Sequence, residues 1–298
     1  MTRRVIVNFT PTGMIPTRQM TTHVPISAKE IIEDVHRAVE IGITMVHLHA
    51  RDESNGAPTF KAAVYEKIIT GIRAFSKDLI ICVSLSGRDF SEFEKRSEAL
   101  RLDGNAKPDM GSLTLSSLNF NQQASINSPD MIKALASEML LRGIMPELEV
   151  FDAGMINYAK YLIQKGLLHP PFYFNLIIGN IACAQADLLH VGVMLRDLPD
   201  DSMWSIGGVG NAQLSMNTLA IAMGGGVRVG LEDNIWFDTK RTKLASNADL
   251  LRRVHDIIAA SDRELMPASE MRKALLMESG NGRYGRIMRY GQRKDDIQ

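Results

Sequence analysis

The chain is short of the features that mark several protein classes. Its 298 residues hold only two cysteines, Cys82 and Cys183. That is too few for a disulfide framework, and a cytoplasmic setting is expected. There is no excess of either charge, because 34 Lys and Arg balance 34 Asp and Glu. Nothing in that balance points to nucleic acid or an acidic membrane surface as a partner. No apolar run reaches membrane-spanning length, and MTRRVIVNF enters a strand pattern without a secretory apolar region. No linker or low-complexity stretch divides the chain. The 17 methionines read as core filler.

What is present is alternation. Strand patterns occur at 4–9, 44–50, 79–84, 110–115, 146–151, 171–176, 203–208 and 227–232. Amphipathic stretches such as SAKEIIEDVHRAVEIG and SPDMIKALASEMLLRG lie between them. Ser27 and Ser128 are placed to cap helices, Pro129 suits a first helical position, and Gly42 and Gly143 suit stops. Two further helices are expected in ASNADLLRRVHDIIAAS and PASEMRKALLM. Eight strands, each followed by a helix-sized segment, predict an α/β protein, a (β/α)8 TIM barrel; a doubly wound open sheet is the alternative. The expected organisation is one barrel domain over 1–278 and a polar, basic tail over 279–298. That tail reads as a loosely ordered terminus, or as a subunit or anion contact.

Side chains alternate along a strand, so His47 and His49 in MVHLHARD share one face. In a barrel that face is inward, and active sites gather at the C-terminal strand ends. Other strand ends repeat the pattern: Asn8, Thr10 and Thr12; Cys82, Ser84 and Ser86; Ser112, Thr114 and Ser116; Glu147 and Glu149; Arg228 and Glu232, with Asp233 just beyond. Two imidazoles at i and i+2 suit one transition metal, and Glu232, across the barrel mouth, could supply a third ligand. A hydrogen-bonded pair of core histidines is the competing reading. Arg228, inside VRVGLED, needs a carboxylate, with Asp233 and Glu149 as candidates. One reading makes Asp233 a base oriented by Arg228; the other is a structural ion pair. A neighbouring cation should lower the Asp233 pKa and weaken it as a base unless a metal acidifies the substrate.

Taken together, TPTG, HVPIS, VHLHARD, KPDMGSLTLSSLNF, PELEVFDAGM, GVGNAQ and GGGVRVGLEDN are specific. Through them the chain resembles the β-keto acid cleavage enzymes, typified by 3-keto-5-aminohexanoate cleavage enzyme, over roughly residues 4 to 278. The resemblance implies a zinc-dependent barrel that condenses a β-keto acid with acetyl-CoA to give acetoacetate and a new acyl-CoA. It implies His47, His49 and Glu232 as metal ligands, and Asp233 as base paired with Arg228 and supported by Glu149. Ser84 and Ser112 would help hold the substrate. It also implies a homo-oligomer, a tetramer. Where the aminohexanoate enzyme places a glutamate for its substrate's amino group, this chain has Met14 or Ile15. A short neutral acyl group is therefore expected at that end. Two rivals remain on the same barrel: a metal-dependent aldolase or lyase, and an amidohydrolase-like metal hydrolase. The latter would need further histidines at later strand ends.

Overall fold

A computed structural model describes residues 3–278 and 284–285. Eight strands form a closed barrel. They are β1 (Val7–Phe9), β2 (Met45–Leu48), β3 (Ile80–Val83), β4 (Met110–Thr114), β5 (Met145–Val150), β6 (Phe172–Ile178), β7 (Ser202–Gly208) and β8 (Gly226–Val229). Each pairs in parallel with its neighbours, and β8 closes onto β1. All eight expected strands are present, with ends shifted by a few residues. The fold is a (β/α)8 barrel.

Helices follow the strands in order: α1 (Ala28–Ile41), α2 (Ala62–Phe75), α3 (Phe93–Arg96), α4 (Pro129–Arg142), α5 (Ala153–Gln164), α6 (Leu188–Asp197), α7 (Ala212–Met223) and α8 (Asn247–Ala260). Their ends are set locally. Ser27 accepts from the Glu30 N–H while the Glu30 carboxylate accepts from the Ser27 N–H, a reciprocal cap at α1. Ser128 accepts from the Met131 N–H, Pro129 opens α4, and Gly143 ends it at φ 70. Such caps contribute about 1 kcal/mol each. The third crossover departs from the pattern: α3 is a single turn, continued by 3₁₀ segments at Glu98–Arg101 and Gly104–Ala106.

Two apolar layers sit on the two faces of the sheet. Val46, Leu48, Ile81, Val83, Leu113 and Leu148 point outward against the helices. Met45, Ile80, Met110, Met145 and Tyr173 fill the lower barrel, closed by Met271 of α9 (Ala268–Ala274) and by Leu275 just after it. Arg272 of α9 grips the buried Asp109 at 3.0 and 2.7 Å, just before β4. The plug seals the N-terminal end, so polar groups collect above it at the other end. Among the described residues no helix is long and apolar enough to cross a membrane. The expected tail lies outside the described residues, apart from Tyr284 and Gly285. Tyr284 packs under the barrel and its hydroxyl accepts from the His169 N–H at 2.9 Å.

Candidate active site

A cavity of about 560 Å³ opens at the C-terminal ends of the strands. His49, Ser84, Thr114, Glu149, Arg228, Glu232 and Asp233 line it, with Met14 and Ile15 on the loop after β1. That loop is held by the buried Arg51 of VHLHARD, which donates to the carbonyls of Gly13, Met14 and Pro16.

Strand alternation aims His47 of β2 inward, and His49, one residue past the strand's end, keeps the same face; both are buried. Their Nε2 atoms lie 3.3 Å apart, and His49 Nε2 lies 3.1 Å from a Glu232 oxygen. Glu232 does not reach this place by strand alternation, because β8 ends at Val229 and Glu232 stands in the turn beyond it. Gly13, at φ +65, lets that turn close: a Cβ there would meet Glu232 Cγ at 2.5 Å. His47 sits one layer deeper and turns its Nδ1 to Glu147 at 2.5 Å.

Glu147 is the residue that sequence reasoning left without a role. It is fully buried and surrounded by donors. Cys82 Sγ approaches the same oxygen as His47, at 3.1 Å; Asn8 and Asn175 amides donate to the other at 2.7 and 3.1 Å. The available signal was its shared face with Glu149 on β5. Burial alone would lower the His47 pKa, but the Glu147 and Glu232 carboxylates outweigh it and lift it to about 9. For His49 burial prevails and the pKa falls. Burial would raise Glu147, yet His47 draws it down to about 2. Glu232 likewise falls well below the usual range, against burial, beside Arg228 and the histidines.

The donor set fits a divalent metal. Among the described residues, one nitrogen each from His47 and His49 and an oxygen of Glu232 lie within 4.8 Å of one another. Glu232 Oε2 is buried with no partner. Two imidazoles and one carboxylate, with a position left open toward a cavity, match catalytic zinc. A second group, His47, Cys82 and Glu147, is also close. Its members already hydrogen-bond one another, and burial holds the Cys82 thiol well above its usual pKa, so it stays protonated. It is a supporting layer beneath the first group. The other histidines are elsewhere: His23 is exposed, His36 packs on Phe75, His169 lies under the barrel, His190 pairs with Asp187 on α6, and His255 bonds Gly42. The later-strand histidines that a metal hydrolase would need are not at this mouth.

Arg228 is 2% exposed and surrounded by acids. Its Nε donates to Asp233 at 2.8 Å, its Nη2 to Glu232 at 2.6 Å, and its Nη1 lies 3.6 Å from Glu149. Nη1 has no hydrogen-bond partner. Gly207 on the adjacent strand makes room, since a Cβ there would stand 3.0 Å from Arg228 Cδ. Both carboxylates considered for Arg228 are thus beside it. The expected direction for Asp233 is reversed. Burial, the largest influence, and Glu232 together outweigh Arg228, and its pKa is raised. Glu149, also raised by burial, accepts from Thr114 Oγ1 at 2.7 Å.

Ser84 lines the cavity. Ser112 does not: it is buried, and its hydroxyl accepts from the Leu85 N–H at 3.0 Å. It braces the loop that carries Ser84, and Thr114, two residues along the same face, reaches the cavity instead.

The family model of beta-keto acid cleavage enzymes matches residues 4–277. The chain belongs to the β-keto acid cleavage enzyme family. It is 32% identical over 280 residues to 3-keto-5-aminohexanoate cleavage enzyme of Fusobacterium nucleatum subsp. nucleatum, covering 93% of this chain and 100% of that one. It is 33% identical over 282 residues to 3-oxoadipate:acetyl-CoA acetyltransferase of Cupriavidus necator, covering 94% and 97%. Among solved structures, apo ObcA superposes with a TM-score of 0.76 at 20% identity, over 86% of this chain and 66% of that longer one. That likeness concerns the fold. As a β-keto acid cleavage enzyme, the chain is a catalyst of C–C bond cleavage.

Proposed function

We propose that this chain is a zinc-dependent transferase that condenses a β-keto acid with acetyl-CoA, releasing acetoacetate and a new acyl-CoA. The observation that carries this reading is the pairing, in one cavity, of the His47–His49–Glu232 donor set with a raised-pKa carboxylate, Asp233, on a buried arginine. Relatives named for acetyl-CoA transfer support the co-substrate.

His47, His49 and Glu232 would hold the metal, and Glu147 would fix the His47 tautomer by accepting its Nδ1–H. When bound there, zinc supplies Lewis-acid polarisation of the substrate's keto and carboxylate oxygens. Asp233 takes a proton from C2; its raised pKa brings it closer to the task than an ordinary aspartate. Arg228 orients Asp233, and Glu149 neutralises the far side of the guanidinium. The C2 carbanion attacks the acetyl thioester and the CoA thiolate leaves. That thiolate adds to the original keto carbon. The C2–C3 bond then breaks, giving the new acyl-CoA, and Asp233 returns its proton to the departing acetoacetate carbanion. Ser84, at the cavity wall, would offer its hydroxyl to a substrate oxygen, while Thr114 gives its proton to Glu149.

Met14 and Ile15 line the cavity without a carboxylate. Met14 is half-buried and Ile15 is 45% exposed, so an ammonium there would keep part of its hydration but find no counter-charge on either side chain. These side chains favour a short acyl chain over a cationic distal group. A homo-tetramer, with exposed Leu188 and Leu189 of α6 at a subunit contact, is part of the proposal. The test is a panel of β-keto acids with acetyl-CoA, followed by mass spectrometry, on zinc-loaded and chelator-treated protein. New acyl-CoA formed only by the loaded protein is expected. Turnover that survives metal removal, or none with any panel member, would refute the reading.

A further inference from the structure

One wall of the cavity is built by the loops after β3 and β4, and they are pinned together. The Ile126 N–H donates to the Gly87 carbonyl at 3.0 Å. Buried Arg96 donates to the carbonyls of Leu85 and Ile126 at 2.8 and 3.1 Å and to Asn127 at 2.7 Å. Arg88 extends from this braced loop into the cavity lining. Its guanidinium carbon lies 3.5 Å from the centroid of the Phe120 ring, and Phe120 is itself edge-on to Phe151 at 5.8 Å.

Arg88 is half-buried, and among the described residues no carboxylate stands within ion-pair distance of its guanidinium. Its chain neighbour Asp89 is exposed and accepts instead from Gln123. The cavity's own acids, Glu149, Glu232 and Asp233, pair with Arg228 and reach Arg88 only through space, from beyond ion-pair distance. A stacked guanidinium gives up part of its hydration, and the ring face returns only about 0.5–2 kcal/mol. Its planar fork of donors matches a carboxylate.

We propose that Arg88 is a specificity-determining residue that binds a carboxylate at the end of the keto acid remote from the reacting carbons. The preferred substrate class is then a short β-keto dicarboxylic acid. This deepens the proposed function and rests on it. It revises the neutral distal group expected from Met14 and Ile15, which offer a cation no counter-charge but say nothing of an anion. Coenzyme A phosphates are the other source of anionic charge. They lie a full pantetheine length from the thioester, whereas Arg88 shares a cavity with Asp233 and Glu232.

The test compares 3-oxoadipate with its neutral analogue 3-oxohexanoate, using the zinc-loaded wild type, Arg88→Gln and Arg88→Lys. The wild type should prefer the diacid. In Arg88→Gln the diacid-to-neutral ratio of kcat/KM should fall about 10- to 100-fold, through the diacid KM. Arg88→Lys, with charge but no fork, should fall between. An unchanged ratio overturns the proposal, including one in which both acids lose equally, which would place Arg88 on the carboxylate they share. A loss confined to the acetyl-CoA KM, absent with acetyl-pantetheine, also overturns it and assigns Arg88 to a phosphate. If neither acid is turned over, the proposed function fails, and calorimetry still decides on Arg88. Adipate binding more tightly than hexanoate, with the difference lost in Arg88→Gln, supports the inference; equal binding overturns it.

Discussion

Replacing Glu147 separates its charge from its shape. The carboxylate faces His47 Nδ1 and Cys82 Sγ on one oxygen, and the Asn8 and Asn175 amides on the other. In Glu147→Gln only one oxygen remains. The arrangement that still serves His47 turns the new NH2 toward Asn8 and Asn175. Both asparagines can flip to accept, but the flip gives up the Asn8 bond to the Tyr173 hydroxyl at 3.2 Å and leaves NH2 groups where the partnerless Oδ1 atoms stood. The fold should survive, at a cost of about 1–3 kcal/mol for the rearranged buried polar groups. What is lost is the negative charge that makes His47 Nε2 a stronger donor. Zinc affinity should fall about tenfold, the low end for such an outer partner. Glu147→Leu removes the acceptor altogether and strands several donors. Affinity should then fall about 100-fold, with a clear drop in the urea midpoint of the metal-free protein. Competition with a chromophoric chelator reads the affinity and circular dichroism reads the fold. If both variants bind zinc as the wild type does, the assigned role of Glu147 is wrong.

His47→Ala and His49→Ala should each lower zinc from one per chain to well under one in elemental analysis, with the fold kept by the outer apolar layer. Asp233→Asn should retain zinc but lose about 10²–10⁴-fold in turnover; persistent exchange of C2 deuterium in that variant would count against Asp233 as the base. Glu30 is governed by burial, which raises its pKa, and by stronger opposing bonds from Arg18, Ser27 and Ile26 that bring it down from 4.5 to about 2. A depressed folded-state pKa means its stabilisation is complete above 4.5 and fades as pH falls toward about 2. Glu30→Gln should then cost about 1 kcal/mol near neutral pH, discounted for exposure, and converge on the wild type below pH 4.5; a constant difference in urea midpoints would contradict this.

The barrel was legible because each element carries its own periodicity and punctuation. Alternation along β2, carried one residue past its end, and along β5 put His47, His49, Glu147 and Glu149 on the inner face. Ser27, Ser128 and Gly143 marked helix ends that the structure keeps. The rest depended on quantities that no local pattern holds. Glu232 stands in a turn, so its approach to His49 follows from the close passage of Gly13. Ser112 and Thr114 share a face, and only the height of each in the barrel decides which reaches the cavity. The raised Asp233 pKa reflects a contest between burial and Arg228 whose winner depends on depth. Arg88 lies in a loop without periodicity, and its stacking on Phe120 joins two crossovers.

Isotope tracing tests the central claim most directly. Acetyl-CoA labelled with ¹³C in the acetyl group would be supplied with an unlabelled β-keto acid and the zinc-loaded protein. The proposed sequence sends the acetyl carbons into acetoacetate, as its terminal acetyl unit, and leaves the new acyl-CoA unlabelled. Label found in the new acyl-CoA, or release of the free acyl acid with acetyl-CoA left intact, would contradict it.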